Sequence, residues 1–369
     1  MSGSPRHFVV LTPGIAGTDG IAALSRLVVR ALQASRGEAS MIEIVSLAES
    51  MSPELRSRFA PAGFVGAGGS KTRFVTSALR AAWRVDQGTW VVCVHLHLGP
   101  AALPLTWRGA RLATMLCGIE AWEPLSGAPR HVLQRSEVII AISAHTARRF
   151  QATHPSFANR TVQVCHLAVP DDTDRFETRP PTASQPYALI VGRMAAEERY
   201  KGHDLLLDIW PQVVAVVPEA RLIVAGDGND RKRLEERARQ LGLQERVAFL
   251  GHVPDQTLKS LYRDCSFFVM PSRDEGFGLV FLEAMRAGKA CIGGIGAAAE
   301  IIQDGITGWV VDPRQPEDTL NAVVRLFREL ETREGMGRAG AIRVAQEFSE
   351  ASFRRRFRRL FGLEPGAAC

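Results

Sequence analysis

Pro271-Ser272-Arg273-Asp274-Glu275-Gly276-Phe277-Gly278-Leu279-Val280-Phe281-Leu282-Glu283-Ala284-Met285 holds the residues with the clearest chemistry in this chain. It follows an apolar run, Phe267 to Met270, breaks into a glycine loop and resumes with helical spacing until Gly288. Gly276 and Gly278 let backbone approach a ligand closely, and a helix start offers free N–H groups to an anion. Glu275 precedes that helix and Glu283 stands about a turn and a half inside it, so the two carboxylates can address one elongated, hydroxyl-rich ligand at different points. Other readings stand beside this one. Glu275 can cap the helix while Glu283 lies on a solvated face, and two carboxylates can also act as acid and nucleophile in glycoside hydrolysis. A glutamate in the apolar setting of Val280 to Met285 needs a partner if buried.

A second constellation follows the run Tyr187 to Val191: Gly192-Arg193-Met194, then Tyr200-Lys201-Gly202-His203-Asp204. Arginine as a planar fork and lysine as a point charge, beside a glycine strand end, can neutralise a diphosphate. By themselves they can equally be a solvated charge pair. His95 and His97, in Val94-His95-Leu96-His97-Leu98-Gly99-Pro100, His145 after Ala144, and Glu120 in Cys117-Gly118-Ile119-Glu120 each read as a sugar or acceptor contact or as a structural residue. Gly14 to Ile21 follows the first apolar run and opens a helix through Leu32, a geometry suited to phosphate. Asp172-Thr173-Asp174 has the form of a metal-holding Asp-x-Asp, but no strand delivers it, so no metal site is expected. The six cysteines form no Cys-x-x-Cys pair and read as small buried hydrophobes.

The elements behind these residues alternate. Short apolar runs, His7 to Thr12, Met41 to Ser46, Trp90 to Leu96, Arg111 to Leu116, Val138 to Ile142 and Val162 to Leu167, are separated by helical patterns, which predicts a parallel sheet. Residues 173–186 are polar and proline-rich and read as a linker. The rhythm then restarts with Tyr187 to Val191, Arg221 to Ala225, Val247 to Leu250, Phe267 to Met270, Ala290 to Gly293 and Gly308 to Val311. With 369 residues the chain exceeds one hydrophobic core. The fold class is α/β, two Rossmann-like parallel-sheet domains facing across a cleft, with ligands at the carboxyl ends of the strands.

Composition narrows the partners. With 46% hydrophobic and 23% charged residues the chain reads as a soluble globular protein, and no apolar run reaches the ~18 residues of a membrane span. Met1 to Arg6 lacks the features of a signal peptide, so a cytoplasmic location is expected. A net charge of +6 points to anionic partners, and without a helix-turn-helix, zinc-finger or RNA-binding signature nucleic acid is not among those expected.

On the Glu-Gly-Phe-Gly-Leu segment with its second glutamate after seven residues, and on the Gly-Arg…Lys-Gly element, the chain resembles the fourth family of retaining glycosyltransferases, which have the GT-B fold. The resemblance spans residues 1 to 363 and is strongest from 187 to 312. It implies an N-terminal acceptor-binding domain at 1–172, the linker at 173–186, a nucleotide-sugar-binding domain at 187–345 and a C-terminal helix, 346–363, crossing back to the first domain. By it, Glu275 contacts the donor sugar, Glu283 the ribose, and backbone at Gly276, Phe277, Gly278 and Leu279 the sugar or diphosphate. Arg193 and Lys201 become electrostatic catalysts on the departing diphosphate. Asp227, at the end of Ala225-Gly226-Asp227, and His252 with Val253 fall where that family surrounds its nucleotide. Relatives carry paired glycines where this chain has Asp19-Gly20, which leaves Gly20 as the donor contact, and Cys117 stands where relatives carry histidine. The implied activity is transfer of a hexose from a UDP-sugar or GDP-mannose to a saccharide or lipid-linked acceptor, in polysaccharide or glycolipid assembly. The nucleotide-sugar is a co-substrate, and neither cofactor nor metal is expected. A non-catalytic nucleotide-sugar-binding subunit and a glycoside hydrolase are the alternatives.

Lys71, Arg73, Arg80 and Arg84 flank Phe74, Leu79 and Trp83 on one helical stretch, and Arg354 to Arg359 add a second basic cluster. Both suit an anionic membrane surface on the inner face of the membrane. They also suit a solvated helix face and a tail packed on its own protein, since Phe353 and Phe357 lie four apart.

Overall fold

The computed structural model describes residues 7–33, 41–60, 62–170 and 186–363. The expected linker lies outside these residues apart from Pro186, as do Asp172 and Asp174. Two compact units are present: Met1–Pro170 with Glu350–Cys369, and Asp171–Ser349.

Unit 1 is built on seven strands, β1 (His7–Thr12), β2 (Met41–Ser46), β3 (Gly63–Gly66), β4 (Thr89–Cys93), β5 (Arg111–Leu116), β6 (Val138–Ala141) and β7 (Val162–Val164), in the order β3-β2-β1-β4-β5-β6-β7. Unit 2 has six, β8 (Tyr187–Val191), β9 (Arg221–Ala225), β10 (Val247–Gly251), β11 (Phe267–Met270), β12 (Cys291–Gly294) and β13 (Gly308–Val311), in the order β10-β9-β8-β11-β12-β13. Neighbouring strands pair in parallel throughout. The central strands β1, β4 and β11 are buried at every residue, as a sheet covered on both faces by helices requires, which is why they read as unbroken apolar runs.

Each sheet reverses its winding once, between β1 and β4 and between β8 and β11. There the chain leaves adjacent strands in opposite directions and opens a crevice at their carboxyl ends. The exits of β8 and β11 carry Arg193 and Glu275, so the topology brings together motifs 82 residues apart in sequence.

Helix Glu350–Arg359 belongs to unit 1 and packs on helix Gly20–Gln33. Phe353 and Phe357 are fully buried and stacked, and Phe361 sets its ring edge on Phe8 and Trp90 at 5.6 and 4.9 Å. Arg356 donates to the His166 carbonyl at 3.0 Å and Arg358 to that of Leu363 at 2.8 Å. The apolar face of the helix, with Arg356 and Arg358, is thus packed on its own protein, while Arg354, Arg355 and Arg359 are exposed. Among the described residues no helix is long and apolar enough to cross a membrane.

Candidate functional site

The β8 exit is held in place by β9. Gly192 donates its N–H to the Ala225 carbonyl (3.0 Å), Met194 donates to that of Asp227 (2.9 Å), and Asp230 donates to that of Met194 (2.9 Å). Gly226 has φ +133°, and a Cβ there would stand 2.0 Å from the Gly192 carbonyl oxygen, so only glycine lets the two loops meet. Into this frame a short 3₁₀ turn, Ala196–Lys201, brings Glu198 between the two cations named by the sequence. One carboxylate oxygen of Glu198 accepts from Arg193, and the other lies 2.8 Å from Lys201 Nζ. Glu198 and Lys201 are largely buried, with side-chain exposures of 13% and 16%, while Arg193 remains 68% exposed. Burial pushes the Glu198 carboxyl up, but the hydrogen bonds from Arg193 and Lys201 win and hold it below the ordinary carboxylate range. Sequence reading passed over Glu198, although its place between Arg193 and Lys201 was the available signal.

The β11 exit lies alongside. Arg273 donates its N–H to the Tyr200 carbonyl at 2.9 Å, tying the two exits together. Gly278, at φ +99°, turns the chain into helix Leu279–Arg286, and a Cβ there would press on the Phe281 ring at 2.6 Å. Glu275, half-buried before this turn, has its carboxyl raised by burial. The Glu198 charge adds to the rise, and Lys201 and the Gly276 N–H oppose it. Glu275 thus feels both members of the neighbouring ion pair. Glu283 sits in the second turn of the helix, where Tyr262 donates its hydroxyl at 2.8 Å. Burial raises this carboxyl too, against Tyr262 and Arg286, with Asp255 adding to the rise. The partner that Glu283 requires is therefore Tyr262, itself 2% exposed and not anticipated from sequence. Phe277 is buried, and Gly276 and Leu279 flank it in the same turn.

His203 follows Lys201 and is buried, its Nε2 without a hydrogen-bond partner among the described residues. Burial and the Lys201 charge lower its pKa to about 4, so it is a neutral wall behind the cations. Asp227 is exposed and receives the Gly228 N–H at 2.8 Å, while His252 is exposed and Val253 half-buried at the β10 exit.

In unit 1, Gly20 opens helix Gly20–Gln33, but Asp19 Oδ1 already accepts the N–H groups of Ile21 and Ala22, both at 2.9 Å. Glu49 likewise accepts from Ile15 and Ala16, both at 2.8 Å. The anion-binding N–H groups of this loop are met by the chain's own carboxylates, and an incoming phosphate has to displace them. Cys93 ends β4 one residue before a turn into 3₁₀ helix Leu96–Ala102, shortening the expected strand and leaving His95 at the exit. There His95 Nδ1 accepts the His97 N–H at 3.3 Å. Burial lowers the His95 pKa, the Glu120 charge opposes this, and His97 adds to it. Glu120 accepts the Cys117 N–H. His145 lies at the β6 exit, edge-on to Trp122 at 5.6 Å. Among the described residues no group of three or more His, Cys, Asp or Glu is arranged to hold a metal ion.

Residues 171–343 match the family described as glycosyl transferases group 1. A glycosyltransferase of Methanocaldococcus jannaschii is 37% identical over 147 residues, covering 40% of this chain and 37% of its own length. The GDP-mannose-dependent alpha-(1-6)-phosphatidylinositol monomannoside mannosyltransferase of Mycolicibacterium smegmatis is 30% identical over 230 residues, covering 57% of this chain and 58% of its own length. The matched region therefore spans well under two thirds of these curated relatives. Among solved structures, the Anabaena HepE protein in complex with UDP-glucose aligns with a TM-score of 0.76 at 17% identity, covering 96% of this chain and 99% of that one. The sucrose-phosphate synthase of Thermosynechococcus elongatus aligns with a TM-score of 0.74 at 17% identity, covering 97% and 100%. These two likenesses speak to fold. The two parallel sheets have the GT-B architecture, and residues 171–343 are similar to the group 1 glycosyl transferases.

Proposed function

We propose that this protein is a retaining hexosyltransferase. It takes a hexose from a nucleotide-sugar, a UDP-sugar or GDP-mannose, and attaches it to a saccharide or lipid-linked acceptor in polysaccharide or glycolipid assembly. It works in the cytoplasm and without a metal ion. The observation that carries this reading is the single carboxylate of Glu198 bridging Arg193 and Lys201 at the β8 exit, beside the Glu275 loop. Two cations held side by side around one anion match a diphosphate, which offers charge to both at once. The donor class is supported by relatives named for GDP-mannose and by a structural neighbour that holds UDP-glucose.

In the inferred step the bond from the anomeric carbon to the diphosphate oxygen breaks while a bond to the acceptor oxygen forms on the same face. The acceptor hydroxyl's proton passes to the departing diphosphate. Negative charge grows on that leaving group and is met by Arg193 and Lys201, so their contribution is larger in the transition state than in the bound donor. Glu275 orients the sugar hydroxyls, Glu283 takes the ribose, and the turn from Gly276 to Leu279 brings backbone to the ligand. A hydrolase would use Glu275 and Glu283 without the cations, and a binding subunit would hold donor without turnover.

The test is transfer or slow donor hydrolysis, with the donor first found by thermal shift against a panel of nucleotide-sugars. Arg193→Ala and Lys201→Ala should each lower turnover by ~10² or more with folding unchanged, and EDTA should leave the rate intact. Turnover within a few-fold of wild type in both variants removes the diphosphate clamp. Sugar release from a simple glycoside without nucleotide selects the hydrolase.

A further inference from the structure

We propose that unit 1 docks on an anionic bilayer surface through the outward faces of helices Lys71–Ala82 and Leu103–Trp107. The first helix has two apolar faces. Phe74, Ala78, Ala81 and Ala82 are buried in the unit's core. Val75, Leu79 and Trp83, spaced four apart and so stacked on one stripe, are exposed by 41%, 40% and 79%. Trp107, at the end of the second helix, is 69% exposed. The two helices pack together, and the Arg108 guanidinium lies over the Trp83 ring at 5.4 Å, which places both helix ends in one patch.

The charge on this patch has one sign. Lys71, Arg73, Arg80 and Arg108 are exposed around it, and neither helix contains an acidic residue. Two residues suggested by sequence leave it: Phe74 is core, and Arg84 is taken up by both oxygens of Glu43 at 2.8 and 2.6 Å. Trp107 and Arg108 replace them. Outward tryptophans, with a polar tip on an apolar ring, suit the boundary between headgroups and acyl chains. Four exposed cations stand around the exposed apolar side chains, with Asp86 the acidic residue nearest in sequence, and such a net-positive face matches a surface of anionic headgroups more closely than a protein partner, which would have to supply an acidic groove. The patch lies in unit 1 alone and does not depend on the donor chemistry proposed for unit 2.

The experiment is flotation of the full-length protein with vesicles of phosphatidylcholine, and of phosphatidylcholine mixed with phosphatidylglycerol, at low and high salt. Wild type should float with the anionic vesicles and lose binding as salt rises. Trp83→Ala with Trp107→Ala, and separately Arg73→Glu with Arg80→Glu, should each cut the bound fraction about tenfold or more. All four side chains are exposed, so circular dichroism should show both variants folded. Turnover of nucleotide-sugar with a soluble acceptor should be unchanged in both, which separates a failure here from a failure of the donor assignment. Absence of flotation under every condition overturns the proposal, as does flotation that neither variant weakens. Self-association abolished by the tryptophan substitutions, without vesicle binding, overturns it in favour of a second copy on this face.

Discussion

Glu198 is the residue on which the proposed donor site turns. It pairs with Arg193 and Lys201 together, so it both helps to fix their positions and competes with any anion that seeks them. Glu198→Gln removes that competing charge while keeping the size of the side chain. Free nucleoside diphosphate should then bind several-fold tighter, because removing the carboxylate that bridges Arg193 and Lys201 makes the field there more positive. Turnover should fall, since Lys201 loses the contact that holds it in place before the diphosphate arrives. Calorimetric titration with UDP and GDP beside donor turnover checks both halves. Unchanged affinity with unchanged turnover would reduce Glu198 to a surface salt-bridge partner. At this scale the sequence showed which residues carry charge or bend backbone, because a glycine loop after an apolar run is a local pattern. What it did not show were partners set by tertiary contact: Tyr262 on Glu283, twenty-one residues away (283 − 262 = 21), and Glu49 on Ile15, thirty-four away.

Elements were legible where burial is two-sided and the run long. β1, β2, β5, β8, β9, β11 and β13 lie where the apolar runs put them. β3 escaped because Gly63-Phe64-Val65-Gly66 is a four-residue edge strand bounded by glycines, too short for a period and stabilised by its pairing with β2. The same edge is braced by Glu43 on β2, which takes Arg84 beyond the end of helix Lys71–Ala82 and stands 3.4 Å from His7 on β1. Burial pushes this carboxyl up, but His7 and Arg84 overcome it and the pKa falls from 4.5 to about 2. With the folded value below the unfolded one, the unfolded state binds more protons between those two values. The stabilisation is therefore complete above about pH 4.5 and is lost as pH falls toward 2. Glu43→Gln should cost about 1 to 2 kcal/mol at pH 7, a figure reduced because the Arg84 side chain is 56% exposed, and only a small part of that at pH 2. Urea melts at the two pH values test this, and an equal loss at both would mean packing and not charge.

Across the whole molecule, the two sheets repeat one strand order, and in unit 2 its reversal point gathers the cations and Glu275 into one crevice. Sequence rhythm announced the two sheets but not their winding, because strand order depends on which crossover each helix takes and leaves no local mark. Concentrating carboxylates there has a consequence for global stability. Glu275 and Glu283 both have carboxyls raised above the ordinary range, first of all by burial. The folded state then holds protons that the unfolded state has released, so stability falls as pH rises from about 4.5 through the raised values, the reverse of the Glu43 case. Glutamine carries no such charge. Glu275→Gln and Glu283→Gln should leave the melting temperature near wild type at pH 4 and raise it by about 2 °C or more at pH 7.5, where the wild-type carboxylates carry charge against their partial burial. The gain should come with a loss of function that differs between the two. Glu275→Gln should lower turnover more than nucleotide affinity, since it removes an acceptor for the sugar's hydroxyl protons at the reacting end. Glu283→Gln should weaken affinity for the free nucleoside diphosphate under the proposed role of this carboxylate at the ribose. Melting curves at the two pH values, paired with titration and turnover, read all four quantities. Variants that melt lower than wild type at pH 7.5, or that lose affinity equally, would show that these glutamates hold the fold together and are not kept for a ligand at the fold's expense.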